Sequence, residues 1–216
     1  MLEVLSELDT TLFTLINGTL GNRVFDLLMP VLTDQKNWYV PILMLWLGLM
    51  IWGGRKGRIT ALLVIPLLVM TDQASSHLLK PLIGRVRPCN VLGGVHLYRN
   101  GGWVLTPETA TILFKRSLSF PSSHATNLFG AATLLSYAYR KWTPVCLLLA
   151  VSIGYSRVYV GVHYPSDVLG GALLGTGCAL LFIWGWRTWT RHHPSRPPKA
   201  DAACPEADIG PGGFPA

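Results

Sequence analysis

Six side chains in this sequence have the types and spacing that phosphoryl transfer requires. Lys80 stands seven residues before Arg87 and Pro88, Pro121 opens the run Ser122, Ser123 and His124, and the pair Ser156 and Arg157 precedes His163 and Asp167. Lys80, Arg87 and Arg157 are permanent cations, His124 and His163 are imidazoles, and Asp167 is a carboxylate. During transfer, charge spreads over the equatorial oxygens of the phosphoryl group and has to be met by fixed cations and hydrogen-bond donors. The arginines offer a planar fork suited to phosphate oxygens, and Lys80 a compact point charge. Ser122 and the amides near Ser123 add neutral donors, because Pro121 and Ser122 are expected to open a helix whose first N–H groups point at an anion.

His163 and Asp167 lie four positions apart, with Pro165 suited to the first turn of a helix that puts both on one face. A carboxylate bonded to one ring nitrogen fixes the tautomer and leaves the other nitrogen free to attack phosphorus, giving a phosphohistidine. His124, from a different helix, is left to protonate the leaving group and then to activate water. Taken singly, Lys80, Arg87 and Arg157 would read as interfacial anchors that snorkel from helix ends. With two histidines and a carboxylate at the same depth, they read as a site.

The elements that must hold these groups are apolar. Of the 216 residues, 50% are hydrophobic and 13% charged, well below the roughly 25% charged residues of a soluble domain, so a membrane protein of one domain is expected. Five blocks, 38–54, 59–71, 125–139, 142–156 and 168–186, carry no charge. Each can reach the ~20 residues of a spanning helix by extending into flanks whose charges are held inside a bundle; the second then runs through Asp72 and His77 to about Leu82. The first 35 residues interleave Asn17, Asn22, Arg23 and Asp26 with apolar residues. They fit either an imperfect sixth span or two short amphipathic helices at the interface. The expected fold is all-α, a polytopic membrane bundle of about six helices over residues 1–187, followed by a disordered tail, 188–216, rich in Pro and Gly.

All three polar clusters fall at block ends on one side. Short connections with Arg55, Lys56, Arg58, Arg140 and Lys141 mark the other side as cytoplasmic, so the site is expected to face the periplasm or exterior of the cell membrane. The net charge of +7 follows block ends and forms no stripe on a soluble element, which argues against nucleic acid as a partner. Cys89, Cys146, Cys178 and Cys204 outline no disulfide framework. The acidic N-terminus lacks the basic start and cleavage site of a signal peptide, so it is expected to stay on the mature chain.

The runs Lys80-x6-Arg87-Pro88, Pro121-Ser122-Ser123-His124 and Ser156-Arg157-x5-His163-x3-Asp167 together resemble the type 2 phosphatidic acid phosphatase (PAP2) superfamily, membrane branch, with its pattern K-x6-RP, PSGH and SR-x5-H-x3-D. The resemblance implies His163 as nucleophile, Asp167 as its partner, His124 as general acid, and Lys80, Arg87, Ser122, Ser123 and Arg157 as phosphate ligands, with neither cofactor nor metal. It also implies a membrane lipid phosphate as substrate. Undecaprenyl diphosphate fits best, with phosphatidate, phosphatidylglycerophosphate and the 1-phosphate of lipid A as alternatives. Ser123 stands where the family usually has Gly, which keeps the amide but alters how closely the backbone approaches the phosphate.

Other polar residues read more plainly. Asp72, Gln73, Ser75, Ser76 and His77 fit a supporting shell around Lys80, and His96, Tyr98 and Trp103 fit either contact with a substrate head group or a Gly-rich loop that is simply flexible. The tryptophans near block ends suit an aromatic belt, and His192 and His193 an exposed tail. Two rival functions use the same cations: vanadate-dependent haloperoxidation, known from soluble proteins with a similar motif, and a non-catalytic phospholipid carrier, which would need no histidines. No obligate protein partner is evident.

Overall fold

The computed structural model describes residues 2–108 and 118–192. Every expected block is helical. Among the described residues the helices are α1 (Leu2–Thr14), α2 (Arg23–Thr33), α3 (Lys36–Ile51), α4 (Gly54–Asp72), α5 (Lys80–Ile83), α6 (Pro88–Val91), α7 (Ser123–Ala138), α8 (Thr143–Tyr159) and α9 (Pro165–His192). A π-helical stretch, Gln73–Leu79, joins α4 to α5, giving one helix of 30 residues, Gly54–Ile83. This helix and α9 are long and apolar enough to cross a membrane; α3 is apolar but shorter. The α9 helix runs to His192, five residues past the expected end of the domain, while the rest of the tail, with His193 and Cys204, lies outside the described residues.

The helices are apolar toward the outside. No residue of α3 is buried, and Val40, Ile42, Leu43 and Met44 are all exposed, as are Leu148 and Val151 of α8 and Leu169, Leu173, Leu180 and Leu181 of α9. Such a continuous apolar surface suits a hydrocarbon surround, not water. Within the bundle, α7 packs on α9 more extensively than any other pair, and small residues make this possible. A Cβ placed on Gly175 would lie 2.0 Å from the Thr126 carbonyl oxygen, and one on Gly171 2.6 Å from that of Ser122. Bare backbone at both positions lets the start of α7, with Ser122 to His124, come against the start of α9, with Asp167.

The first 35 residues form two helical stretches, one running from α1 through a π-helical turn to Thr19 and the other being α2. The chain breaks between them at Leu20–Asn22, and Asn22 caps α2 by accepting the Phe25 N–H at 3.0 Å. Two of their polar residues, Asn17 and Asp26, make internal bonds to the rest of the chain. Asn17 is buried, donating to the carbonyls of Tyr159 and His96, each at 2.7 Å, and accepting the His96 N–H at 2.9 Å. Asp26 accepts the Tyr159 hydroxyl at 2.7 Å.

Among the described residues the fold departs from all-α in one hairpin and in an isolated antiparallel bridge between Val86 and Leu118. Residues His96–Arg99 (β1) and Gly102–Leu105 (β2) form an antiparallel hairpin, so the loop read as flexible is ordered. Its turn is Asn100-Gly101, both with positive φ (52° and 83°), a pairing that suits the right-handed twist of a tight hairpin. Trp103 stacks on His96 at 4.2 Å and donates to the Asp26 carbonyl at 3.2 Å. His96, Tyr98 and Trp103 therefore clamp the hairpin onto α2 and the end of α8. A core of Phe13, Met29, Val95, Leu97, Val158, Tyr159, Val162 and Tyr164 fills the space beneath, at the same end as the polar clusters.

Close approach of α7 and α9 is a testable feature of this packing. Gly175→Leu should destabilise the protein by at least about 1–3 kcal/mol, lowering the thermal midpoint in detergent by several degrees. Gly185→Leu, where an added Cβ meets nothing within 4 Å, should leave the midpoint unchanged. Equal midpoints for the two variants would contradict the packing described.

Candidate active site

Asp167 is the anchor of the polar end. It has no exposure and lies in the first turn of α9, where the partial positive charge of the helix N-terminus favours a carboxylate. Its Oδ2 accepts the Tyr164 N–H at 2.8 Å, a short hydrogen bond from Ser119 Oγ, and a longer approach from His163 Nδ1 at 3.4 Å. Its Oδ1 accepts from Arg85 Nη1 at 2.9 Å. Its backbone carbonyl accepts the Ser122 N–H at 3.0 Å, which ties the start of α7 to the start of α9.

His163 reaches this carboxylate through a tight turn. The α8 helix stops at Tyr159, Gly161 follows in the left-handed region (φ 84°), and α9 begins at Pro165. With Nδ1 directed at Asp167, Nε2 is the nitrogen left for chemistry. His163 lies outside the helices and is 1% exposed; burial, reinforced by Arg157 and Arg87 and opposed by Asp167, lowers its pKa from 6.5 to about 4. The ring is therefore neutral at physiological pH, the form in which an imidazole nitrogen is nucleophilic.

The other expected groups converge on the same end. His124 lies in the first turn of α7, within electrostatic range of Arg157, His163, Lys80 and Arg87. Lys80 opens α5, the last turn of the long helix, and feels Arg87, Arg157, Asp72 and Asp167. Arg87 precedes α6, and its burial disfavours the charged form while Asp167 favours it. Arg157 projects from the last turn of α8 and donates from Nη1 to Thr33 Oγ1 at 2.7 Å. Arg157 Nε and Ser122 Oγ are both buried, and neither makes a hydrogen bond among the described residues. A buried donor left unpaired costs on the order of 1–3 kcal/mol, so both are suited to an anionic ligand. Ser123 Oγ lies 3.0 Å from Ser76 Oγ, which donates to Asp72 Oδ1 at 3.1 Å; the supporting shell read around Lys80 thus reaches the start of α7 through the π-helical stretch.

Several partners escaped the sequence reading. Arg85 lies two residues before Arg87, and Ser119 three before Ser122, but neither occupies a motif position. Gln35, in the turn between α2 and α3, comes within 3.0 Å of His124 Nε2, and Thr33 meets Arg157. Nothing in the order of residues marks these, because they arrive from segments distant in the chain.

Known proteins resemble this chain in sequence and fold. The family model of the PAP2 superfamily matches residues 60–191. A lipid A 4′-phosphatase of Bacteroides thetaiotaomicron is 32% identical over 85% of this chain and 79% of its own length, and an undecaprenyl-diphosphatase of Sulfolobus acidocaldarius is 31% identical over 80% and 75%. The crystal structure of Aquifex aeolicus LpxE superposes with a TM-score of 0.61 at 29% identity, covering 82% of this chain and 95% of that one. The chain belongs to the PAP2 superfamily and, with it, to the hydrolases of phosphoric monoesters or diphosphates.

Proposed function

We propose that the protein is a multi-pass membrane phosphatase whose site faces the periplasm or exterior and cleaves a lipid phosphate through a phosphohistidine on His163. The observation that carries this is the pair of unpartnered buried donors, Arg157 Nε and Ser122 Oγ, beside a neutral His163 whose other nitrogen is directed at Asp167. Arg87, Arg157, Lys80, Ser122 and the amide of Ser123 hold the phosphate oxygens. Nε2 of His163 attacks phosphorus, the bond to the leaving oxygen breaks, and His124, protonated while the anionic substrate lies beside it, gives that oxygen its proton. Neutral His124 then takes a proton from water, whose oxygen attacks the phosphohistidine, releasing inorganic phosphate and restoring His163. Cations on the protein supply the charge stabilisation, so no step calls for a metal.

The exposed apolar faces of α3, α8 and α9 let a substrate keep its tail in the bilayer while its head enters the site. The basic turns at the other end, where Lys56 lies over the Tyr139 ring at 4.9 Å, support a cytoplasmic position for that end. Five helices cross, and α1 and α2 rest at the outer interface. We assign undecaprenyl diphosphate as the first substrate to test, supported by the undecaprenyl-diphosphatase relative. A lipid A phosphate is the second, favoured by the lipid A 4′-phosphatase that aligns over most of the chain.

Phosphate release by the detergent-solubilised protein, measured on undecaprenyl diphosphate, lipid A, phosphatidate and phosphatidylglycerophosphate, should identify the preferred lipid. His163→Ala should lower turnover on each by about a thousand-fold or more; substantial activity in folded His163→Ala would remove His163 as nucleophile. Chelation by EDTA should leave the rate unchanged, and a loss restored by one particular metal would contradict the mechanism. Because the folded His163 is neutral where the unfolded residue is protonated, stability should decline as pH falls from about 6.5 toward 4. The ring signals of His163, assigned by their disappearance in His163→Ala, should keep the neutral pattern at pH 6, and an imidazolium pattern there would refute the environment described.

A further inference from the structure

The region matched to the family begins at residue 60, yet a residue of α1 enters the hydrogen-bond system of Asp167. Asp9 is 7% exposed and is bound three ways: Arg85 Nη2 donates to its Oδ2 at 2.6 Å, Ser166 Oγ to the same oxygen at 2.5 Å, and the Ser166 N–H to its Oδ1 at 2.9 Å. Arg85 spends its other terminal nitrogen on Ser166 Oγ at 2.6 Å and Asp167 Oδ1 at 2.9 Å. Its guanidinium also lies 4.0 Å from the centre of the Tyr164 ring. One arginine therefore bridges two carboxylates, one from α1 and one from the start of α9. Phe13, one turn after Asp9 on the same face, packs its ring against Tyr164 at 5.5 Å, so α1 is docked on the segment between His163 and Asp167 by an apolar and an ionic contact together.

We propose that Asp9 and Arg85 form a positioning clamp for Asp167, and through it for His163, so that the N-terminal helix is a working part of the active site. This rests on the reading of His163 as nucleophile. The physical case is that two carboxylates near one another repel unless a cation stands between them, and only a forked cation can hold both in fixed orientation. Arg85 occupies that place and faces carboxylates and Ser166, not the cradle of Arg157 and Ser122. Its loss should therefore affect the chemical step and not substrate binding. Lysine keeps the charge but lacks the fork, so it cannot reproduce the bridge.

The test is steady-state kinetics on the full-length protein in detergent, with thermal midpoints measured alongside. Asp9→Asn and Arg85→Lys should each lower kcat about ten- to a hundred-fold, the scale expected of a small misplacement of reacting groups, with KM changed by less than about twofold. The double variant should lose little more than the worse single one, because both act through one bridge. Glu7→Gln, an exposed acid on the same helix, should change nothing. The proposal is overturned if Asp9→Asn retains full kcat while His163→Ala is inactive, if Arg85→Lys raises KM with kcat intact, if the two losses simply multiply, or if activity falls only in step with the folded fraction. Activity surviving in His163→Ala would instead overturn the nucleophile assignment.

Discussion

A carboxylate removed from water must have each of its lone pairs met, and at Asp167 that requirement organises one whole end of the molecule. Donors come from Ser119, the Tyr164 amide, His163 and Arg85, so three stretches of chain have to meet at a single side chain. The Ser122 N–H on the Asp167 carbonyl adds α7 to the same junction. A side chain held from so many directions keeps its orientation, and the imidazole it faces inherits that orientation.

The helix pairing makes this junction possible. Gly171 and Gly175 remove the side chains that would separate α7 from α9, so the helix carrying Ser122 to His124 and the helix carrying Asp167 start side by side. The first turn of α7 keeps its amides for an anion, whereas those of α9 are taken by Asp9 and the Tyr164 carbonyl. The left-handed Gly161 then turns the chain from α8 back into α9 and leaves His163 in the bend. Small residues thus place the large, charged ones.

The N-terminal region carries a different constraint. Polar residues here would be costly against hydrocarbon, and three of them find internal partners: Asn17 on the hairpin and α8, Asp26 on Tyr159, Asp9 on Arg85 and Ser166. Interleaved polarity of this kind is what a helix docked on polar loops needs, and it explains why the segment lacks the uninterrupted apolar run of a span. The same bonds order the β1–β2 hairpin, whose Asn100-Gly101 turn was a local signal for it; four glycines around it gave the contrary impression of a mobile loop.

What the sequence by itself determined was the candidate set of site groups and the helices that carry them. Lys80, Arg87, Ser122, Ser123, His124, Arg157, His163 and Asp167 stand at fixed spacings next to apolar blocks, and both spacing and hydropathy are properties of neighbours along the chain. The blocks became helices with ends close to those expected, because proline, glycine and the limits of each apolar run act locally. Only the tertiary structure decided which residues surround those groups. Arg85 on Asp167, Asp9 on Arg85, Gln35 on His124 and Thr33 on Arg157 join positions far apart in the chain. Those partners were chosen by the packing of whole helices, which the order of residues specifies only through the sum of many weak contacts.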